Sequence, residues 1–278
     1  MRSTRKRIKS KKIHYPGTEQ CHPRIGKSAE GCIPANILNE VANILGTEAN
    51  RIEIEKKLNV SPNHEYSFVN ALPFDEAKKR DLVKTYLRPK QPDEWKADPD
   101  MWLNSLDIGN VMNQYEESHP DFEFMGPYPI DFAAPDPYNG NEGKCLIQEM
   151  CEIKTADALA KGTKYIGIIY NLDPHFKSGS HWVAAFIDLV KHNCYYFDSY
   201  GMEPPMQIQK FMKWITTQDN TMKLFYNGRR FQYKNSECGM YSMYFIICML
   251  EGQDFQSFSR KAPPDSFMLD LRDCLFST

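Results

Sequence analysis

Residues 181–199 read HWVAAFIDLVKHNCYYFDS. Trp182 to Val190 and Cys194 to Phe197 are runs of aliphatic and aromatic residues, and only Lys191, His192 and Asn193 separate them. That spacing predicts two strands joined as an antiparallel hairpin with a tight turn. In such a hairpin the start of one strand lies beside the end of the other, so His181 and Asp198 are expected together at one edge of a sheet. A carboxylate within hydrogen-bonding distance of an imidazole fixes its tautomer and stabilises its charged form.

Working outward, residues 235–250 read NSECGMYSMYFIICML. From Gly239 to Leu250 the segment is apolar nearly all round, which predicts a buried helix. Cys238 stands where a polar loop enters that helix, among unpaired N–H groups and at the positive end of the dipole, a place that favours a thiolate. A lone cysteine at a helix start is far more often a small packing residue. The His181–Asp198 pairing reverses that balance, as does Gln232, which is close enough in the chain to turn back and donate its amide N–H to a developing oxyanion together with the N–H of Cys238.

Around this centre, helices are predicted near 101–117, 205–217 and 265–276, the last capped by Asp265, with further strands at 165–170 and 222–226 and a Pro/Gly-rich loop over 120–143. Before residue 100 the texture is helical. Ile37, Leu38, Val41, Ile44 and Leu45 recur at helical spacing up to Gly46, and two more helices are expected near 48–58 and 75–87. The stretch RPKQPDEWKADPD at 88–100 mixes prolines with both charges, which suits a linker or a surface crossing. The expected organisation is a basic flexible arm at 1–30, a helical N-terminal domain at 31–95 and a catalytic domain at 96–278.

The order His, Asp, Gln, Cys, with His-Trp, Asp-Ser-Tyr and Gln-x5-Cys-Gly as local signatures, resembles the ubiquitin-like-protein proteases of the Ulp and SENP type and the related adenovirus-type proteases. The resemblance spans about residues 100–278 and is strongest from Ser180 to Gly252. It implies an α+β, papain-like fold with a central mixed sheet, a buried helix carrying the nucleophile and a small helical domain in front. It also implies roles: His181 as general base, Asp198 as its orienting acid, Gln232 as oxyanion donor and Cys238 as nucleophile. The helical N-terminal region, the ending APPDSFMLDLRDCLF and the SECG motif are most similar to the polyprotein-processing proteases of large cytoplasmic DNA viruses. Those relatives cleave after Gly-Gly or Ala-Gly type sequences.

Two tryptophans bear on specificity. Trp182 follows His181, and Trp102 opens WLNSLD, which is similar to the Trp-Leu-Asn-Asp motif of that family with Ser105 in place of the acid. Indoles facing each other across a cleft would leave a slot that admits only residues without side chains. The implied activity is a cysteine endopeptidase processing viral structural polyproteins, located in the host cytoplasm and the virion. The alternatives are an isopeptidase acting on ubiquitin-like conjugates and an inactive binding module of the same fold.

Composition excludes other classes. The chain has 278 residues with a net charge of −2, but the seven cations of MRSTRKRIKSKK at residues 1–12 leave −9 on the rest. The basic tail suggests weak, sequence-independent nucleic-acid binding or a nuclear address, though a solvated arm is the favoured reading. No apolar run approaches the roughly 20 residues of a membrane span. The eight cysteines are read as reduced thiols, and Cys21, His22 and Cys32 as a solvated loop rather than a zinc site. Neither a metal nor another cofactor is expected. The helical N-terminal region is expected to recruit large substrates.

Overall fold

The computed structural model describes residues 20–25, 31–62, 64–137 and 144–278, and the basic tail at 1–12 lies outside them. The helical half begins with α1 (Ala35–Leu45), closed by Gly46 at φ 62°, then α2 (Arg51–Leu58), α3 (Glu65–Ala71) and α4 (Glu76–Tyr86). Asn50 and Asp75 cap α2 and α4 by accepting from the N–H groups of Glu53 and Lys78. Helix α3 has no counterpart in the sequence pattern, because its seven residues are too few to display a period. The four helices enclose a core of Leu38, Val41, Ile54, Phe68, Leu72 and Leu82.

The second half is built on a five-stranded sheet in the order β1 (Phe122–Pro129), β2 (Tyr165–Asn171), β3 (Trp182–Asp188), β4 (Asn193–Phe197) and β5 (Lys223–Tyr226). The central pairs β2–β3 and β3–β4 are antiparallel, while the outer pairs β1–β2 and β4–β5 are parallel. Strand β1 corrects the loop expected over 120–143. Gly126 and Pro127 break its register between Met125 and Tyr128, which an edge strand tolerates because one side needs no ladder.

Strand β3 is buried on both faces, and its side chains alternate between two cores. Trp182, Ala184 and Phe186 face the layer made by α5 (Ser105–Ser118), α9 (Cys238–Leu250), α10 (Phe255–Ser259) and α11 (Asp265–Leu275); Val183, Ala185 and Ile187 face the layer that includes α6 (Gln148–Glu152), α7 (Thr155–Ala160) and α8 (Met206–Gln218). Every residue of α9 from Cys238 to Met249 is buried. This helix approaches the sheet so closely at Gly167 that a Cβ there would stand 2.9 Å from the side chains of Ile246 and Phe122. The last helix is preceded by Pro264, and Asp265 does not cap it; the Asp265 carboxylate instead accepts from the N–H groups of Tyr233 and Lys234 and from the Tyr241 hydroxyl.

The segment 88–100 is a surface crossing that is firmly held. Arg88 is 1% exposed, the Ser277 N–H donates to the Pro89 carbonyl, the Gln91 N–H donates to the Ser277 carbonyl, and Trp95 packs edge-on to Phe276 at 4.8 Å beneath the Arg272 guanidinium. Trp95 belongs to the core of the second half, so the helical unit ends near Leu87 rather than at 95. Residues 20–25 correct the flexible-arm reading as well. His22 is buried, Gln20 bonds Cys274 and Arg88, and Cys21 is joined to Cys32 by a disulfide. A second disulfide links Cys145 to Cys151. The reading of all eight thiols as reduced is thereby corrected, and Cys21 and Cys32 form neither a solvated loop nor a zinc pair. Sequence spacing could not reveal the pairing because both bridges close short local loops in a chain large enough to fold without them. Among the described residues no helix is long and apolar enough to cross a membrane.

Two outcomes are expected. Trp95→Ala should destabilise the fold by about 3–5 kcal/mol in urea denaturation. Alkylation of the denatured, unreduced protein should label Cys194, Cys238, Cys248 and Cys274 but leave the two bridged pairs unlabelled in peptide mass spectrometry.

Candidate active site

The hairpin brings the expected pair together. His181, just before β3, donates from Nε2 to Oδ1 of Asp198, just after β4, at 2.7 Å. Asp198 is itself fixed on both sides of its backbone. Its N–H donates to Asn227 Oδ1 at 2.9 Å, and its carbonyl accepts from Asn227 Nδ2 at 2.7 Å. The N–H of Tyr200 donates to the same Oδ1 that receives His181, at 2.8 Å. With Nε2 committed to Asp198, Nδ1 is left for the hydrogen bond with Cys238.

Cys238 opens α9 and is 1% exposed. The helix start at Glu237 carries no side-chain cap, so the first-turn N–H groups keep their donors for whatever occupies the site. Burial pulls the His181 imidazole downward, but its hydrogen bonds with Asp198 and Cys238, together with the charges of both, outweigh that pull and raise it to about 9. The imidazole is therefore held charged at neutral pH. Because this value lies above that of an exposed histidine, its contribution to stability is complete below about pH 6.5 and is lost as the pH rises towards 9.

Gln232 is fully buried and oriented by Ser199. The Ser199 hydroxyl donates to Gln232 Oε1 at 2.7 Å, the Gln232 N–H donates to the Ser199 carbonyl at 2.8 Å, and Arg230 Nε donates to the Gln232 carbonyl at 2.6 Å. With Oε1 occupied, Nε2 is the free end, and it has no hydrogen-bond partner among the described residues. A buried amide donor left unpaired costs free energy unless something in the working complex accepts from it.

The two tryptophans are placed differently. Trp182 is 6% exposed and donates from Nε1 to the Leu103 carbonyl at 3.0 Å, whereas Trp102 is 44% exposed. Both line a cavity of about 410 Å³ with Asn104, Asn171, His175 and Gly179, and Trp102 also borders a second hollow beside Tyr233 and Ser236. The acid missing at Ser105 is supplied two positions later. Asp107 accepts from the Asn104 N–H while Asn104 accepts from the N–H groups of Leu106 and Asp107, a capping box that starts α5 and sets the course of 101–104. At Gly239 a Cβ would meet Leu103 Cδ1 at 3.0 Å and Trp182 Cδ1 at 3.3 Å, so the helix start, the indole and the Trp102 segment are pressed together.

Sequence reasoning missed several supports. Arg272 of α11 bonds Glu237 through Nε at 3.1 Å and Nη2 at 2.8 Å, with Nη2 also on the Met101 carbonyl, which joins the residue before Cys238 to the residue before Trp102. In the sequence Ser199 and Tyr200 are visible only as letters of a motif, without a role, and Asn227 only as a residue just past the strand at 222–226.

Residues 141–273 match the family model described as the Ulp1 protease family, C-terminal catalytic domain. That segment belongs to the Ulp1 protease family. The chain is 36% identical over 163 residues to a protein of Acanthamoeba polyphaga mimivirus named as a thiol protease, covering 56% of this chain and 50% of that one. It is 30% identical over 127 residues to a protein of African swine fever virus named as a SUMO-1 cysteine protease, covering 43% and 46%. The chain thus spans about half the length of the curated relatives it matches. Its fold is that of an African swine fever virus protease seen by crystallography, with a TM-score of 0.68 at 19% identity over 92% of this chain and 95% of that one.

The site makes a spectroscopic prediction. The His181 ring should titrate near pH 9 by NMR, and in Asp198→Asn its midpoint should fall by more than about one unit, because burial then acts against fewer favourable contacts. A midpoint unmoved by Asp198→Asn would mean that the carboxylate does not hold the proton.

Proposed function

We propose that this protein is a cysteine endopeptidase in which Cys238 attacks the scissile carbonyl. His181, oriented by Asp198, serves as general base and acid, and Gln232 Nε2 with the Cys238 N–H binds the oxyanion. The observation that carries this reading is the unpaired, buried Nε2 of Gln232 behind a Cys238–His181–Asp198 series. The sulfur bonds to the carbonyl carbon, the imidazolium gives its proton to the leaving amine, and water then attacks the thioester with His181 as base.

The substrate follows from the cleft. Cys238 is 1% exposed, and the next residue, Gly239, is pressed against Leu103 and Trp182, crowding that favours a chain without side chains at the scissile bond, hence Gly-Gly or Ala-Gly type sequences. The protein substrates in this reading are structural polyproteins, cleaved during virion maturation in the host cytoplasm and in the virion; its support is the sequence resemblance to polyprotein-processing proteases, while the names of the viral relatives support a thiol protease. A second reading, removal of ubiquitin-like modifiers, is favoured by the name of the swine fever virus relative. Mass spectrometry of products from Gly-Gly-X peptides and from a panel of ubiquitin-like conjugates tests the choice; deconjugation without peptide cleavage would overturn the polyprotein reading.

Cys238→Ala and His181→Ala are expected to abolish peptide cleavage, with Asp198→Asn retaining part of it. Gln232→Ala should raise the barrier by about 2.7–4 kcal/mol, seen as a fall in kcat with KM little changed, since the contact strengthens only as the oxyanion forms. Wild-type turnover in Gln232→Ala would show that the donor lies elsewhere.

A further inference from the structure

Tyr200 has no part in the reaction as described, yet it touches its base. The phenol ring lies nearly parallel to the His181 imidazole, with centroids 4.6 Å apart and planes 16° from coplanar. Its backbone N–H bonds the Asp198 oxygen that also receives His181 Nε2, and its hydroxyl reaches the Lys234 carbonyl at 3.5 Å. The residue is half-buried and forms one wall of the imidazole slot. We propose that Tyr200 is a positioning residue that holds the His181 ring in the plane where Nδ1 faces Cys238 and, through its π-face, favours the imidazolium over the neutral ring.

Two observations support this. Nothing else among the described ring contacts covers the imidazole, so its tilt about the Asp198 hydrogen bond is limited by Tyr200. An aromatic face also attracts a cation laid over it, and His181 is charged for most of the range in which a thiolate–imidazolium pair can exist. The charged groups that act on His181 are Asp198 at the end of β4 and Cys238 at the start of α9, and Arg230 lies against the Tyr200 ring. The Arg230 guanidinium stands 5.2 Å from the Tyr200 ring and 5.1 Å from that of Tyr233, while its Nε is spent on the Gln232 carbonyl.

The inference rests on the thiol–imidazole reading above, and the test separates the two. Alkylation of Cys238 by iodoacetamide and cleavage of a Gly-Gly-X peptide are followed from about pH 5 to 10 in the wild type, Tyr200→Phe, Tyr200→Leu and Tyr200→Thr, with folding of each checked by near-UV circular dichroism. In the wild type, cleavage should decline through about pH 9 as the imidazolium is lost. Tyr200→Phe keeps the ring and should keep that limb in place. Tyr200→Leu and Tyr200→Thr should move it downward by about half to one pH unit, roughly a three- to tenfold change in the proton equilibrium, with kcat lowered more than KM is raised. A limb that stays fixed in the folded Leu and Thr variants, or that moves equally in Tyr200→Phe, overturns the role of Tyr200 alone. A wild type whose Cys238 shows no pH-dependent reactivity overturns both the thiol–imidazole reading and this one.

Discussion

The pairing of β3 with β4 is the constraint on which the rest depends. It sets His181 and Asp198 at adjacent strand ends although 17 positions separate them, and it does so through backbone hydrogen bonds that do not depend on the identity of the site residues. The remaining groups are brought to that edge by separate devices. Asn227 grips Asp198 from the end of β5, Ser199 turns Gln232, and α9 is pressed onto the sheet at Gly167 until its first residue meets the imidazole. A shift of one residue in the β3–β4 register would send Val183 towards α9 and displace His181 from Asp198.

Much of this was legible in the sequence because the decisive contacts are local or topological. A short turn between two apolar runs determines which ends meet, and an all-apolar helix must be buried. What was not legible depends on contacts between distant segments. Strand β1 carries two prolines and a glycine and is recognisable only by its partner β2; the anchoring of 88–100 requires knowing that Ser277 returns to Pro89. The disulfides escaped for the same reason, since Cys21 and Cys145 offer no pattern that distinguishes a bridged thiol from a free one. Asp265 stands in a credible capping position, and only the fold shows that its carboxylate is engaged by the 233–234 turn.

The electrostatics of the site are a balance in which burial is the largest influence and acts in the unfavourable direction. Desolvation pulls the imidazole towards its neutral form, and the charged state survives because Asp198 and Cys238 act on it together. Glu237, next to the sulfur in the chain, is lifted by burial and held by Arg272, so a second buried charge is paired rather than left alone. The Arg272–Glu237 pair joins α9, α11 and the Trp102 segment, so buried polar contacts fix the residues next to Cys238 and Trp102 relative to one another.

The burial of Cys238, at 1% exposure, has a consequence for ligand design. A covalent inhibitor must reach a sulfur buried in the same core cluster as Leu103 and Trp182, so the atoms leading to the warhead need to be flat and unbranched. Compact groups such as a nitrile or an aldehyde on a glycine-like stem meet that demand, whereas bulky acyl halides or substituted maleimides do not. Selectivity over cysteine hydrolases with open clefts would then come from slenderness near the sulfur, and potency from groups placed further along, where Trp102 and the cavity beside His175 give surface to hold.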